Sequence, residues 1–163
     1  MIKLNLERLN NHSPYLLWRD DDGDLFFETD EGLLYCLELE ENYETLQYDS
    51  CVFGIINKDR KWSHGDTKLK QTVLCVIEEF FKSNNRVLLY ICSTFDNKQE
   101  IRFRLFLRWF NTYNKKDQYL MRTINGVLDE NIPNYAAIIV ERNNPDLEYI
   151  LQRLDELIDY LKK

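Results

Sequence analysis

Apolar residues change their spacing several times along the 163-residue chain, and each change marks a structural element. Y-L-L-W (15–18), L-F-F-E-T (25–29) and L-L-Y-C-L-E-L (33–39) are short runs separated by D-D-D-G (20–23) and D-E-G (30–32). Asp-Gly and Glu-Gly steps between apolar runs mark tight hairpins, because glycine takes positive φ without a steric cost. After a polar loop in the forties, C-V-F-G-I-I (51–56) reads as a fourth strand, giving an antiparallel meander. Residues 1–13 are weakly helical and end at Ser13-Pro14, which predicts a loosely docked N-terminal arm.

From Asp66 the period becomes helical: Leu69, Val73, Val76, Ile77 and Phe80 share one face, with Asp66 placed to cap it. R-V-L-L-Y-I-C (86–92) is continuously apolar, as a strand covered on both faces would be. A second helix is expected from about Asp96 to Asn111, then strands near 119–127 and 135–141. Asn144-Pro145 opens a last helix, with asparagine as cap and proline at the first helical position. Its stripe of Leu147, Ile150, Leu151, Leu154, Leu157, Ile158 and Leu161 suits the protein's own sheet better than a coiled-coil partner. The pattern predicts an α+β fold: one domain over 14–163, a mostly antiparallel sheet and about three helices packed on it.

The second helix holds the chain's most unusual decade, I-R-F-R-L-F-L-R-W-F (101–110), in which three arginines are threaded among seven large apolar residues. At about 100° per residue, Phe103, Phe106, Leu107 and Phe110 fall on one arc and Ile101, Leu105 and Trp109 on a second, nearly opposite one. Arg104, Arg108, Glu100 and Asn111 share the polar wedge between them. Arg102 points between Phe106 and Trp109, on the apolar side. The expectation is a helix sandwiched in the fold and wetted along a single strip. A guanidinium on its apolar side needs a dedicated partner, since an unpaired buried charge costs several kcal/mol. That partner is either structural, a salt bridge or a cation–π stack on Trp109, or a bound carboxylate or phosphate. The second alternative makes Arg102, Trp109, Asp96 and Arg108 a candidate anion site at the junction of strand 86–92 and helix 96–111. Asp96 itself most simply caps that helix.

Composition changes this picture little. Phe, Tyr and Trp number 9, 10 and 3, enough for a sizeable core, while 5 Gly and 3 Pro argue against low complexity. The net charge of −7 disfavours nucleic acid as a partner. Cys36, Cys51, Cys75 and Cys92 each sit in an apolar run with no C-x-x-C, and only two histidines are present. They read as free core thiols of a cytoplasmic protein and predict no zinc site, and with no P-loop or dinucleotide fingerprint in the chain no cofactor is expected. The N-terminus lacks the apolar core of a signal peptide, and no run is long enough to cross a bilayer, so no membrane partner is expected. Asp20, Asp22, Asp24 and Glu31 fall at the acidic positions of a calcium loop. Leu25 replaces the required glycine, however, and the flanks read as strands, so a solvated hairpin turn is the simpler account.

Y-I-C-S-T-F-D-N-K-Q-E-I-R-F-R-L-F-L-R-W-F resembles the central motif of a small bacterial family of unknown function. The resemblance rests on Cys92, Asp96, Arg102, Phe106, Arg108, Trp109, Phe110, Asn144 and Pro145, after the aromatic hairpin start L-F-F-E-T-D-E-G-L-L-Y, and spans most of 15–161. It implies a bacterial cytosolic protein and brings no activity with it. With no assembled catalytic set, the sequence points to a non-enzymatic interaction module that binds another protein. The alternative is a small-anion or nucleotide binder, or an enzyme, built around Arg102.

Overall fold

The computed structural model describes residues 2–59, 61, 66–92, 98–129 and 132–162. The strands are β1 (Trp18–Arg19), β2 (Leu25–Glu28), β3 (Leu34–Asn42), β4 (Ser50–Asn57), β5 (Val87–Ile91), β6 (Tyr119–Asp129) and β7 (Ile132–Glu141). The helices are α1 (Leu6–His12), α2 (Thr67–Ser83), α3 (Gln99–Asn111) and α4 (Leu147–Leu161), and a short 3-10 turn spans Lys116–Gln118. The fold is α+β, as expected, with four helices among the described residues where about three were expected. Its strands form a seven-stranded, mostly antiparallel sheet in the order β1-β2-β3-β4-β5-β7-β6. By compactness the chain divides into two units, Met1–Leu39 with Gly54–Asn85 and Glu40–Phe53 with Arg86–Lys163.

In the first unit the hairpins follow from the glycines. Gly23 and Gly32 adopt φ of +88° and +79°, and their N–H groups donate to the carbonyls of Asp20 and Thr29. The register Trp18↔Phe26↔Cys36 and Leu25↔Leu37 sets which side chains share a face. Leu25, Phe27 and Leu37 lie on the fully buried face. Helix α2 begins as expected, with the Asp66 carboxylate accepting from the Leu69 N–H at 3.0 Å. Tyr15 joins these parts. Its ring stacks on Phe27, its hydroxyl donates to Asp66 at 2.5 Å, and it accepts from the Asp30 N–H. Burial and that bond to Asp66 push the phenol up to about 12.

Two carboxamides and one ion pair tie down the N-terminal segment. Asn84 binds both the N–H and the carbonyl of Lys3, and Asn10 binds both the N–H and the carbonyl of Leu17. Arg8 reaches from α1 to Glu79 of α2, with the Arg8 Nη2 at 2.5 Å from Oε1 and the Nε bonding both oxygens; the Ser83 hydroxyl adds a further bond. Beside this pair, Leu9 buries its side chain.

In the second unit, β5 pairs parallel with β4 (Ser50↔Val87 to Phe53↔Tyr90) and antiparallel with β7 (Leu88↔Ile139 to Ile91↔Ala136). Val87, Leu88, Leu89 and Tyr90 are each at most 3% exposed, the two-sided burial expected of that run. Helix α4 lays Ile150 and Leu154 onto Val87, Leu89, Ile138 and Val140, so its stripe does pack on the protein's own sheet. It begins later than expected. Asp146 is the cap, while Asn144 accepts from the Asp146 N–H at 2.8 Å and shapes the preceding turn. Leu46, in the loop read as polar, is fully buried in the same core, and Gln47 beside it takes φ of +51°.

Burial tends to raise the Glu79 carboxyl, but hydrogen bonds and charge from Arg8 outweigh it and hold the group below its ordinary value. A carboxylate depressed by folding stabilises fully above the ordinary value of 4.5 and loses that contribution as pH falls through the lower folded value. Glu79→Gln is therefore expected to lower Tm at neutral pH. The gap from wild type should shrink in melts run at progressively lower pH.

Candidate functional site

Candidate chemistry gathers in the second unit where β5 ends and α3 crosses it. Tyr90 lies on β5 and Cys92 one residue past its end, two apart along the run and turned to the same side, and both are almost fully buried. The Cys92 thiol donates to the Tyr90 hydroxyl at 3.2 Å, and the Cys92 N–H donates to the Tyr135 carbonyl. Above them α3 presents Phe103, Phe106 and Phe110, all at most 4% exposed. The Phe106 ring stacks on Tyr90 at 3.9 Å between centroids, with Phe103 stacked at 6.4 Å and leaning on Tyr135 at 5.6 Å. Phe110 continues the contact into a cluster with Tyr113 and Tyr119. The aromatic arc of the decade is thus what docks α3.

The second arc does not dock. Ile101 is 52% exposed, and Leu105 and Trp109 are only half-buried. Helix α3 is accordingly buried along one face and is not wetted by a single strip alone. Arg102 occupies the boundary of that face and is half-buried, whereas Arg104 and Arg108 are exposed. Arg104 pairs with Glu100 one turn away at 2.6 Å, an exposed i,i+4 bridge of small energetic worth.

The four anion-site residues are only partly brought together. Arg102 and Trp109 are seven positions apart on one helix and share an edge of it. Arg108 points elsewhere, into the wedge with Arg104. Its carbonyl and that of Trp109 accept from the Thr112 hydroxyl at the end of the helix. Asp96 lies outside the described residues. Helix α3 starts at Gln99, with Lys98 at the cap position and no side-chain bond to the first turn.

Electrostatics define what the cluster can do. Burial drives the Tyr90 phenol well above its ordinary value, reinforced by Cys92, while the Arg102 charge pulls the other way. Burial likewise raises the Cys92 thiol, against smaller opposing effects from Tyr90 and Arg102. Desolvation wins in both cases, so both groups stay protonated at neutral pH. A thiol nucleophile must ionise, and a general acid–base group works best near the operating pH. This pair does neither.

The acids of the calcium reading fall in two different hairpin turns. Asp20, Asp22 and Asp24 surround the β1–β2 turn, where one Asp20 oxygen accepts from the N–H groups of Asp22 and Asp24, while Glu31 lies beyond β2. Among the described residues no group of three or more His, Cys, Asp or Glu side chains is placed to hold a metal ion, and no helix is long and apolar enough to cross a membrane.

The α3 cluster, α2 and most of α4 lie within residues 65–156, which match a family of unknown function, DUF6169, and the chain belongs to that family. No curated protein and no solved structure matches the chain.

Two outcomes follow from this geometry. Arg102→Ala is expected to lower Tm more than Arg104→Ala, whose exposed pair contributes at most about 0.5 kcal/mol; equal melting temperatures would remove the distinction. In a thiol titration of the native chain, half-exposed Cys75 should react first. Cys36 and Cys51, raised by burial to about 11 and about 12, and Cys92 should wait for denaturant.

Proposed function

We propose that the chain is a non-enzymatic interaction module of the bacterial cytoplasm whose partner is another protein. The observation that carries this reading is the state of the Cys92–Tyr90 pair. The best-assembled polar group in the second unit is buried under an aromatic lid and held neutral, which suits packing and not turnover. Large apolar side chains meanwhile face outward. Leu16 and Trp18 do so in the first unit, and Tyr43, Ile101, Tyr149 and Tyr160 in the second, and the aromatic ones are the kind of residue that protein interfaces use as anchors.

A small-anion or nucleotide site at Arg102 is the second reading. It draws support from a half-buried guanidinium whose charge acts on both Tyr90 and Cys92, with Trp109 on the same helix edge. The two readings separate in one measurement: the chain is purified from its native cells under gentle conditions and weighed intact by native mass spectrometry. The module reading expects the added mass of a polypeptide. A nucleotide or other small anion that is released by Arg102→Ala would overturn it.

A further inference from the structure

The face of the first unit's hairpins opposite Leu25, Phe27 and Leu37 has its own pattern: it is buried at Cys36, half-buried at Asp24, Phe26 and Glu38, and open at Trp18 and Asp20. Continuing the register of Trp18↔Phe26↔Cys36 by two residues toward the β1–β2 turn brings Asp20, Asp24 and Glu38 into a cross-strand row. The Asp20 N–H donating to the Asp24 carbonyl at 3.1 Å fixes that step. Beside the row of carboxylates lies the aromatic row, with the Trp18 ring stacked on Phe26 at 6.1 Å and 19°. Leu16, 72% exposed, and Trp18, 41% exposed, are the large exposed apolar residues of this unit among those described, and they stand two apart on one segment. Like charges opposite one another on adjacent strands are mildly destabilising, and the Trp18–Phe26 stack, although it steadies the hairpin, still leaves Leu16 and much of the indole in water. Both features are accounted for if something apolar and basic covers them.

We propose that this face docks a partner segment in which basic and apolar residues alternate, the apolar ones seating on Leu16, Trp18 and Phe26 and the basic ones meeting Asp24 and Glu38. This rests on the interaction-module reading and names its surface and its partner's chemistry. The segment lies across the face and does not extend the sheet. The Asn10 carboxamide already occupies the N–H and the carbonyl of Leu17, at 2.9 and 3.0 Å, which closes the outer edge of the meander to an added strand. The buried Cys36 thiol senses the same field. After burial, the Asp24 charge raises it most, Lys58 opposes, and Glu38 and Asp20 add to it. Lys58 is the cation that a basic segment would have to avoid.

The test uses fluorescence anisotropy of the full chain with a labelled ten-residue peptide alternating lysine and leucine. Peptides alternating glutamate with leucine and lysine with serine serve as controls. The lysine–leucine peptide is expected to bind, and the two controls are not, because both charge and apolar surface are required. Affinity should fall by about tenfold in Trp18→Ser and in the double variant Asp24→Asn, Glu38→Gln, and should weaken as salt rises. Circular dichroism checks that each variant is folded, and Phe26→Leu, which keeps an apolar surface, should bind nearly as wild type does. Absence of binding by the lysine–leucine peptide, or equal binding by Trp18→Ser, would overturn the proposal. If a protein partner co-purifies equally with wild type and folded Trp18→Ser, the module reading stands and this face is wrong.

Discussion

Strand β5 has no face to give to water, and the second unit is arranged around that fact. Its side chains alternate between two covers. Val87 and Leu89 turn toward α4, and Tyr90 turns toward α3. A strand of this kind needs a helix on each side, because a single exposed face would leave Leu, Val or Tyr surface in water at roughly 25 cal/mol per Å². The tightly stacked Phe106 and the leucine stripe of α4 are two answers to one demand. The Cys92–Tyr90 hydrogen bond follows from it too: once the strand is covered on both sides, a phenol at its centre needs a partner inside the protein.

That origin explains why the decade of arginines and aromatics does not carry chemistry in any direct way. Its three phenylalanines are a docking surface, and its exposed arginines keep the outer side of α3 wet. Arg102 sits where the two regimes meet, close enough to act on Tyr90 and Cys92 and partly reached by solvent. Outward-facing apolar surface remains at Ile101 on α3, and is found also at Leu16 and Trp18 around β1, at Tyr43 after β3, and at Tyr149 and Tyr160 along α4.

Much of the architecture was legible because local signals agreed with each other. Hairpin glycines 23 and 32, the Asp66 cap and the unbroken run 86–92 each state one conformation, and the structure adopts it. The helical wheel over 101–110 found the docking arc but not how far burial extends around the helix. Period alone cannot say whether a second layer covers Ile101. Leu46 was invisible for the opposite reason: a lone leucine among Glu, Asn, Thr and Gln has no period, and only the unusual backbone at Gln47 and the packing of α4 make it core. The Asn144-Pro145 signal was real but displaced, because the asparagine shapes a turn before the helix and Asp146 takes the cap position. The first unit's carboxylate row was hidden as well, since acids distant in sequence meet only once register is known.

Strand order has a bearing on synthesis. Strand β7 lies between β5 and β6, so the later hairpin must bring its second strand, and not its first, against β5. When Val87–Ile91 leaves the ribosome, the neighbour that will cover its far edge follows some 45 residues behind it. At about 5–20 residues per second, a fully apolar strand stands open on that side for several seconds. Nascent chains stalled in that interval are where a holding chaperone would find its substrate.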